Sequence, residues 1–221
     1  QNIRPLRVLV LNLMPKKKDT EIQFARLFGN TPLQVEMILM TTATYTPRNT
    51  DPGHLRRFYR QLADIEDEFF DALIVTGAPV ETLPFEQVAY WQELVAIMQW
   101  SRTHCFRRLG ICWGAQALLS HFWGVPKFDM PEKLFGVYQH RLQNVTGRLM
   151  HGFTDRFPMP VSRFTETRAA DVTAAGLSIL AEGENCGVGM VRDPKSGDLF
   201  VLNHLEYDAA TLADEYHRDR A

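Results

Sequence analysis

Cys112 is the residue of this chain whose surroundings best suit covalent chemistry. It lies in the segment Gly110-Ile111-Cys112-Trp113-Gly114-Ala115-Gln116, after an apolar stretch and before a run with helical spacing. A strand, a tight turn flanked by glycines and a helix form a nucleophile elbow, which lifts one side chain out of the backbone. The macrodipole at the helix N-terminus favours a thiolate, so Cys112 is predicted to be a nucleophile. The backbone N–H of Trp113 is predicted to form half of an oxyanion hole.

An apolar segment near the end of the chain supplies partners for this thiol. It reads Phe200-Val201-Leu202-Asn203-His204-Leu205-Glu206 and is predicted to be a strand. Side chains two residues apart on a strand face the same side, so Glu206 can orient His204, and His204 can deprotonate Cys112. Alone, Cys112 could be a buried core cysteine and His204 a strand-end histidine without a catalytic role. Together they favour a Cys-His-Glu arrangement.

Composition and charge exclude several other kinds of protein. The 221 residues carry a formal net charge of −2, so no general affinity for nucleic acid or anionic membranes is expected. The three cysteines are odd in number and lack metal-binding spacing, which indicates a reducing compartment without disulfides or a zinc site. No segment approaches the roughly 20 apolar residues of a membrane span, and no signal peptide is recognised. We therefore expect a cytoplasmic protein without a metal or cofactor. Because the chain begins at Gln1 rather than Met, two interpretations stay open, a chain trimmed at its termini and a protein that is naturally short.

The elements that must position Cys112 alternate between strands and helices in the first half of the chain. The patterns predict strands over residues 6–13, 33–40 and 70–75, and helices from near Glu21 to Gly29, over 54–67 and over 86–104. Asp19 or Thr20 is predicted to cap the first helix. This alternation predicts an α/β fold with a doubly wound, mainly parallel sheet. The loops at 16–18, 77–81 and 112 follow strands, so they are predicted to converge on one crevice.

The second half of the chain changes character. Short strands are predicted over residues 133–142, 164–168, 177–181, 188–192 and 198–203, with a hairpin turn at 193–198. A helix over 208–218 is predicted to close the chain. We therefore expect additional short antiparallel strands in this half and a single domain over residues 1–221.

Segments spread along the chain resemble one enzyme family, the homoserine O-succinyltransferases. The similar segments are residues 4–17, Ile74-Val75-Thr76-Gly77-Ala78-Pro79-Val80-Glu81, Cys112-Trp113-Gly114-Ala115-Gln116-Ala117, 131–137 and 206–213. The match runs in order over essentially the whole chain. The resemblance implies a class I glutamine-amidotransferase-like fold. It also implies transfer of an acyl group from acyl-CoA to the hydroxyl of homoserine, at the entry to methionine biosynthesis, by a homodimer.

The resemblance also implies roles for individual residues. Cys112 would attack the thioester and become acylated, His204 would be the general base, and Glu206 would orient it in a ping-pong reaction. Lys17 matches a lysine near the acyl oxygen, where a cation stabilises an oxyanion. Lys17 lies in the basic run Lys16-Lys17-Lys18, and the alternative interpretations of this run are a solvated loop or a site for the CoA phosphates. Further matches lie near the substrates: Arg218, which would hold the amino-acid carboxylate, Lys133, Ser162 and Arg163.

Glu81 bears on the acyl donor. In the family that this chain resembles, glutamate at this position goes with acetyl-CoA and glycine goes with succinyl-CoA. A fixed carboxylate would repel the distal carboxylate of succinate and narrow the pocket. We therefore expect acetyl transfer, with succinyl-CoA as the alternative donor. A surface glutamate after a turn is the alternative interpretation of Glu81.

Two residues beside His204 depart from the family pattern. The family usually has glycine before the histidine and proline after it, whereas this chain has Asn203 and Leu205. This change is expected to alter the acceptor pocket, and serine is an alternative acceptor because one methylene changes discrimination by only about 1–3 kcal/mol. A glutaminase-type Cys-His-Glu hydrolase or amidotransferase is an alternative of another class, since fold does not fix function. A non-enzymatic binding protein is a third.

Overall fold

A computed structural model describes residues 4–44, 50–143 and 148–220, and its strands form one mixed sheet. The strands are β1 (Leu6–Leu11), β2 (Val35–Met40), β3 (Tyr59–Arg60), β4 (Phe70–Val75), β5 (Cys105–Ile111), β6 (Phe128–Leu142), β7 (Arg156–Glu166), β8 (Ser178–Gly183), β9 (Gly187–Arg192) and β10 (Leu199–Val201). The helices are α1 (Lys17–Gly29), α2 (Pro52–Phe58), α3 (Leu62–Ile65), α4 (Trp91–His104), α5 (Trp113–Trp123), α6 (Ala169–Ala174) and α7 (Thr211–Arg220). Short 3-10 helices cover Phe85–Gln87 and Arg148–Met150.

The strand order of the sheet is β3-β2-β1-β4-β5-β10-β9-β8-β6-β7. Neighbours from β3 to β10 pair in parallel, and neighbours from β10 to β7 pair antiparallel. Parallel strands need crossover helices, which cover both faces and bury the strands. The predicted α/β fold, mainly parallel with antiparallel strands in the C-terminal half, is therefore confirmed.

The central strands lie between helices because their side chains are apolar on both faces. Leu9, Leu11, Leu73 and Val75 are fully buried, as expected for parallel strands covered on both sides. Trp113 at the start of α5 is also fully buried, and it packs against the aromatic rings of Phe85, Tyr90 and Trp91. Replacing a buried tryptophan by alanine typically costs about 3–5 kcal/mol, so this packing fixes where α5 begins.

The prediction of one helix over residues 54–67 was wrong. The structure has α2, which begins at Pro52 with Asp51 as its cap, then β3, then α3. The break occurs at Tyr59, which pairs with Leu39 of β2 and is buried. Its hydroxyl donates to Glu21 Oε1 at 2.6 Å and accepts from Asn12 Nδ2 at 2.9 Å. These long-range contacts outweigh the local helical pattern.

Several element boundaries also differ from the sequence-based predictions. Helix α1 begins at Lys17 rather than near Glu21, and neither Asp19 nor Thr20 caps it. The strand predicted over 164–168 is the end of the longer β7, and α6 after it was not predicted. Strand β10 ends at Val201, before the predicted catalytic segment. None of the helices in the described ranges is long and apolar enough to cross a membrane.

Candidate active site

Cys112 occupies a strained turn between β5 and α5. Its φ of 50° is the only positive φ of a non-glycine residue in the described part of the chain. Such a conformation costs of order 1–3 kcal/mol and is held in place by its surroundings. A Cβ at Gly110 would lie 2.5 Å from Ala115 Cα, and one at Gly114 would lie 2.3 Å from Val75 O. Both glycines are therefore needed for close backbone approach, as in a nucleophile elbow.

His204 and Glu206 lie in the loop after β10, which is adjacent to β5 in the sheet. Because β5 and β10 run in parallel, their carboxyl ends meet, and the N–H of Cys112 donates to Val201 O at 2.8 Å. Nδ1 of His204 is 2.7 Å from Oε1 of Glu206, and both side chains are buried. The other side of the imidazole is hydrogen-bonded to Cys112. The structure therefore brings the three predicted catalytic side chains together. His204 and Glu206 lie in a loop rather than on the predicted strand.

The electrostatics of the trio favour an ion pair. Burial by itself lowers the pKa of His204, but the charges and hydrogen bonds of Glu206 and Cys112 outweigh it and raise that pKa well above its ordinary value. A protonated imidazole next to Cys112 favours the thiolate. The remaining cysteines differ, since burial raises the pKa of Cys105 to about 12 and also raises that of Cys186. Among the three, Cys112 alone is partly exposed.

The loop after β4 lies directly against Cys112 and His204. A Cβ at Gly77 would be 3.4 Å from Cys112 Cβ, 3.5 Å from Met14 Sδ and 3.7 Å from His204 Cε1. The loops after β1, β4, β5 and β10 thus meet at one edge of the sheet, where ligands of open α/β folds bind.

Tyr207 and Glu215 are site residues that the sequence did not indicate. The Tyr207 ring stacks on His204, with centroids 4.0 Å apart and an interplanar angle of 19°. Its hydroxyl donates to Glu215 Oε1 at 2.7 Å. On a continuous strand, Tyr207 would point to the opposite face from His204, because the two residues are three positions apart. The strand ends at Val201, and the loop that follows allows Tyr207 to stack on His204.

Lys17 is buried, although Lys16 and Lys18 beside it are exposed. Its ammonium group donates to Asn12 O and lies 5.5 Å from the centre of the Tyr59 ring. It lines a cavity of about 420 Å³ together with Met14. Burial lowers the pKa of Lys17 to about 8, partly opposed by Glu21. Lys17 is therefore not part of a solvated basic loop.

We predict that Lys17 makes the stability of the protein depend on pH. Because its pKa falls from 10.5 unfolded to about 8 folded, the unfolded chain binds more protons between these values. The free energy of unfolding should therefore rise with pH across this window, by on the order of 3 kcal/mol from this residue. Lys17→Met should lack this contribution. Chemical denaturation measures the free energy of unfolding of wild type and Lys17→Met at pH 7.5 and pH 10. If the two proteins differed by the same free energy at both pH values, the prediction would be contradicted.

Glu81 is fixed between its own loop and β7. Its carboxylate accepts from Phe164 N at 2.9 Å and from Thr165 Oγ1 at 3.2 Å. Burial raises the pKa of Glu81, and the two hydrogen bonds, with Lys133 and His204, oppose that rise. Glu81 is therefore within electrostatic reach of His204 and is not a freely moving surface glutamate.

The predicted carboxylate-binding residues Arg218 and Lys133 lie together. Arg218 Nη2 is 2.7 Å from Asp219 Oδ1, and Lys133 Nζ is 2.6 Å from Asp219 Oδ2. Arg218 also lines a cavity of about 300 Å³ between α1 and α7, together with Tyr207 and Glu215. Oε2 of Glu215 is buried and has no hydrogen-bond partner among the described residues.

Ser162 and Arg163 lie side by side on β7, but the structure places them differently from the other predicted site residues. Ser162 is partly buried and pairs with Phe135 of β6. The guanidinium of Arg163 is buried and donates to the backbone carbonyls of Thr165 and Cys186. Arg163 is therefore held by the protein itself.

Metal coordination is absent from the described part of this site. In residues 4–44, 50–143 and 148–220, no group of three His, Cys, Asp or Glu side chains is arranged to hold a metal ion. The side chains that meet at Cys112 are instead a thiol, an imidazole and a carboxylate. This set is suited to acyl transfer through a covalent intermediate.

Solved structures with a similar backbone include glutamine amidotransferases. A glutamine amidotransferase from Thermotoga maritima has a TM-score of 0.66 and 14% identity, covering 99% of this chain and 84% of that one. A glutamine amidotransferase from Methylobacillus flagellatus has a TM-score of 0.60 and 13% identity, covering 99% of this chain and 76% of that one. At these identities the likeness shows the fold alone, which is class I glutamine-amidotransferase-like.

The amino-acid sequence is similar to acyltransferases at much higher identity. The homoserine O-acetyltransferase of Sinorhizobium fredii is 49% identical over 220 residues, which is 99% of this chain and 72% of that protein. The homoserine O-acetyltransferase of Synechococcus elongatus is 52% identical over 221 residues, covering 100% of this chain and 74% of that protein. The family model of homoserine O-succinyltransferase matches residues 1–221. This chain therefore belongs to the homoserine O-succinyltransferase family.

Proposed function

We propose that the protein transfers an acetyl group from acetyl-CoA to the hydroxyl of L-homoserine, in methionine biosynthesis. The observation that carries this proposal is the meeting of Cys112, His204 and Glu206 at a strained elbow in a homoserine O-acyltransferase chain. The similar proteins of Sinorhizobium fredii and Synechococcus elongatus are homoserine O-acetyltransferases, which supports acetyl as the transferred group. No metal or prosthetic group takes part in the proposed steps, and acyl-CoA is a co-substrate.

In the first half-reaction, Cys112 takes the acyl group from CoA. The thiolate sulfur attacks the carbonyl carbon of the thioester, and a new carbon–sulfur bond forms. The bond to the CoA sulfur breaks, and this sulfur takes the proton held on His204 Nε2. The imidazole is then neutral, while Glu206 keeps it oriented through Nδ1 at 2.7 Å.

In the second half-reaction, the neutral imidazole serves as the base. Nε2 of His204 accepts the proton of the acceptor hydroxyl as its oxygen attacks the acyl carbon. The carbon–oxygen bond forms, and the bond to Cys112 breaks. The thiolate and the imidazolium are thereby restored, so the ion pair favoured by Glu206 is both the start and the end of the cycle.

The negative charge that develops on the acyl oxygen needs stabilisation in both halves. The N–H of Trp113 belongs to the first turn of α5, where N–H groups lack partners within the helix. We assign it, with the ammonium group of Lys17, to the oxyanion. A lysine with a pKa of about 8 is still mostly protonated at neutral pH, and its burial strengthens its field.

The cavity between α1 and α7 is the proposed acceptor site. Arg218 lines it and can hold the substrate carboxylate, with Lys133 kept nearby through Asp219. Oε2 of Glu215, which lacks a partner among the described residues, can accept from the ammonium group. Tyr207 lines this cavity and stacks on His204, so the cavity lies next to the proposed base. Arg218 and Glu215 would thus recognise the α-carboxylate and the α-ammonium group, which homoserine and serine share. Homoserine and serine differ only in the distance from these groups to the hydroxyl.

We predict that Glu81→Gly raises the use of succinyl-CoA relative to acetyl-CoA. The carboxylate of Glu81 is fixed by Phe164 and Thr165 and would meet the distal carboxylate of succinate. Juxtaposed like charges cost several kcal/mol, so the kcat/KM ratio should change by at least about 10-fold. The measurement compares both donors with wild type, Glu81→Gly and Glu81→Gln.

Glu81→Gln separates charge from space, because it removes the charge and keeps the volume. If the donor ratio changed in both Glu81→Gln and Glu81→Gly, the charge of Glu81 would determine donor selectivity. If it changed in Glu81→Gly alone, the volume of the side chain would determine it. An unchanged donor ratio in both would remove Glu81 as the selector.

Intact-protein mass spectrometry tests the proposed function directly. The protein is mixed with acetyl-CoA or succinyl-CoA without acceptor, and an acetyl adduct on Cys112 is expected. Adding homoserine should discharge it, and parallel addition of serine shows which amino acid is accepted. Absence of an adduct with either donor in folded protein would overturn the proposal and favour the glutaminase-type alternative, which a glutamine hydrolysis assay then checks.

A further inference from the structure

A buried polar cluster lies behind His204, and the proposed reaction does not use most of it. It contains His140 of β6, Arg163 of β7, Cys186 before β9 and Asn203 after β10, and all four are buried. Unpaired polar groups are costly at such positions, so their hydrogen bonds define the local structure. Asn203 is the residue that joins this cluster to His204 along the backbone.

The protonation of His140 follows from its partners. Nδ1 lies 2.9 Å from Tyr138 O, an acceptor, so Nδ1 carries the proton. Nε2 of the neutral ring is then an acceptor, and Asn203 Nδ2 donates to it at 2.8 Å. Cys186 Sγ is 3.1 Å from the same nitrogen. These contacts orient the Asn203 amide with its NH₂ group toward His140.

The amide oxygen of Asn203 faces the second member of the cluster. Nε of Arg163 lies 3.5 Å from Asn203 Oδ1. The guanidinium is anchored through Nη1 to Thr165 O at 2.8 Å and through Nη2 to Cys186 O. Burial lowers the pKa of Arg163, and the nearby Cys112 opposes that change. Arg163 is therefore a fixed charge within electrostatic reach of Cys112.

The backbone around His204 is held by single hydrogen bonds to neighbouring strands. The N–H of Leu202 donates to Gly189 O of β9 at 2.9 Å. Strand β10 ends at Val201, and the N–H of His204 donates to Pro160 O at 3.0 Å. The next side chain, Leu205, is 39% exposed, so its packing contributes little to holding the loop. The Asn203 amide adds side-chain contacts from this segment to His140 of β6 and Arg163 of β7.

We propose that Asn203 is a positioning residue, whose amide ties the His204 loop to His140 and Arg163 and so holds the imidazole against Cys112. This inference rests on the proposed function only where it predicts slower acyl-enzyme formation. Its geometric consequence is that loss of the Asn203–His140 bond weakens the thiolate–imidazolium pair. The other titratable and charged groups that face Cys112 and His204 are Glu206, Arg163, Glu81 and Tyr207, and the test leaves them unchanged.

The experiment measures the pH dependence of Cys112 alkylation by iodoacetamide, followed by peptide mapping. This readout needs no acyl donor, so it is independent of the proposed function. The wild-type profile is the reference to which each variant is compared. Asn203→Ala should shift the midpoint upward by at least about half a pH unit and slow acyl-enzyme formation by about 10- to 100-fold.

Two variants at residue 140 give a matched comparison. Gln can place an amide oxygen near the position of Nε2 and accept from Asn203, whereas Asn can replace only Nδ1. His140→Gln should therefore keep the wild-type profile, and His140→Asn should shift it as Asn203→Ala does. If Asn203→Ala does not fold, the residue 140 pair decides alone.

The outcomes separate this inference from the proposed function. Folded Asn203→Ala with the wild-type alkylation profile, or identical profiles for the two variants at residue 140, would overturn the positioning role. Shifted profiles in a protein that forms no acyl adduct would support the positioning role and reject the acyltransferase proposal.

Discussion

Cys112→Ala is expected to abolish acyl-enzyme formation and to lower turnover by at least about 10³-fold. The sulfur is the atom that becomes acylated, and its side chain is hydrogen-bonded to His204. The turnover of Cys112→Ser should also fall by a large factor, because a hydroxyl is a much weaker nucleophile than a thiolate paired with an imidazolium. Intact mass spectrometry and steady-state rates with acetyl-CoA and homoserine measure both variants.

Cys105→Ala and Cys186→Ser are the matched controls. Both residues are buried thiols whose pKa is raised, so neither should form an adduct in place of Cys112. Persistent acylation of Cys112→Ala, or loss of the adduct in Cys105→Ala alone, would refute the nucleophile assignment.

The elbow could be predicted from sequence because its constraints are local. Gly110 and Gly114 are required by contacts with Ala115 and Val75, and these follow from any strand, tight turn and helix of this type. The strand at Phe70–Val75 was predicted with its observed bounds, since a fully buried apolar run needs no distant partner to be recognised. Alternation of strands and helices then led to the correct α/β class.

The partners of Cys112 were predicted for a reason that is only partly right. His204 and Glu206 were expected to meet because they alternate on a strand, but β10 ends at Val201 and they meet in a loop. The loop also turns Tyr207 onto His204, which strand alternation would forbid. A motif can thus identify the reacting groups while leaving their backbone undetermined.

Contacts between distant segments could not be predicted. Tyr59 bonds to Asn12 and Glu21 and thereby breaks a helical pattern that local spacing favours. Lys17 lies in a basic run, yet α1 begins at this residue and buries its side chain. Asn203 and His140 are 63 residues apart in sequence, and only the pairing of strands brings them together.

Glu206→Gln tests how the charge of the carboxylate controls the site. Glutamine can still accept from Nδ1 of His204 through its amide oxygen, so the ring should keep its orientation. The negative charge is lost, and with it a main cause of the raised pKa of His204. His204 then gives up its proton at a lower pH, and the imidazolium no longer holds the thiolate at neutral pH.

Two measurable changes follow from Glu206→Gln. The midpoint of Cys112 alkylation should move upward relative to the wild type, because the thiolate has lost its charged partner. Turnover should fall by roughly 10²–10⁴-fold, since His204 is also a weaker base toward the acceptor hydroxyl. His204→Ala should share the alkylation shift, and Glu206→Ala should add a loss of ring orientation. If Glu206→Gln kept the wild-type alkylation midpoint, the carboxylate would act through geometry alone, and the raised pKa of His204 would have another source.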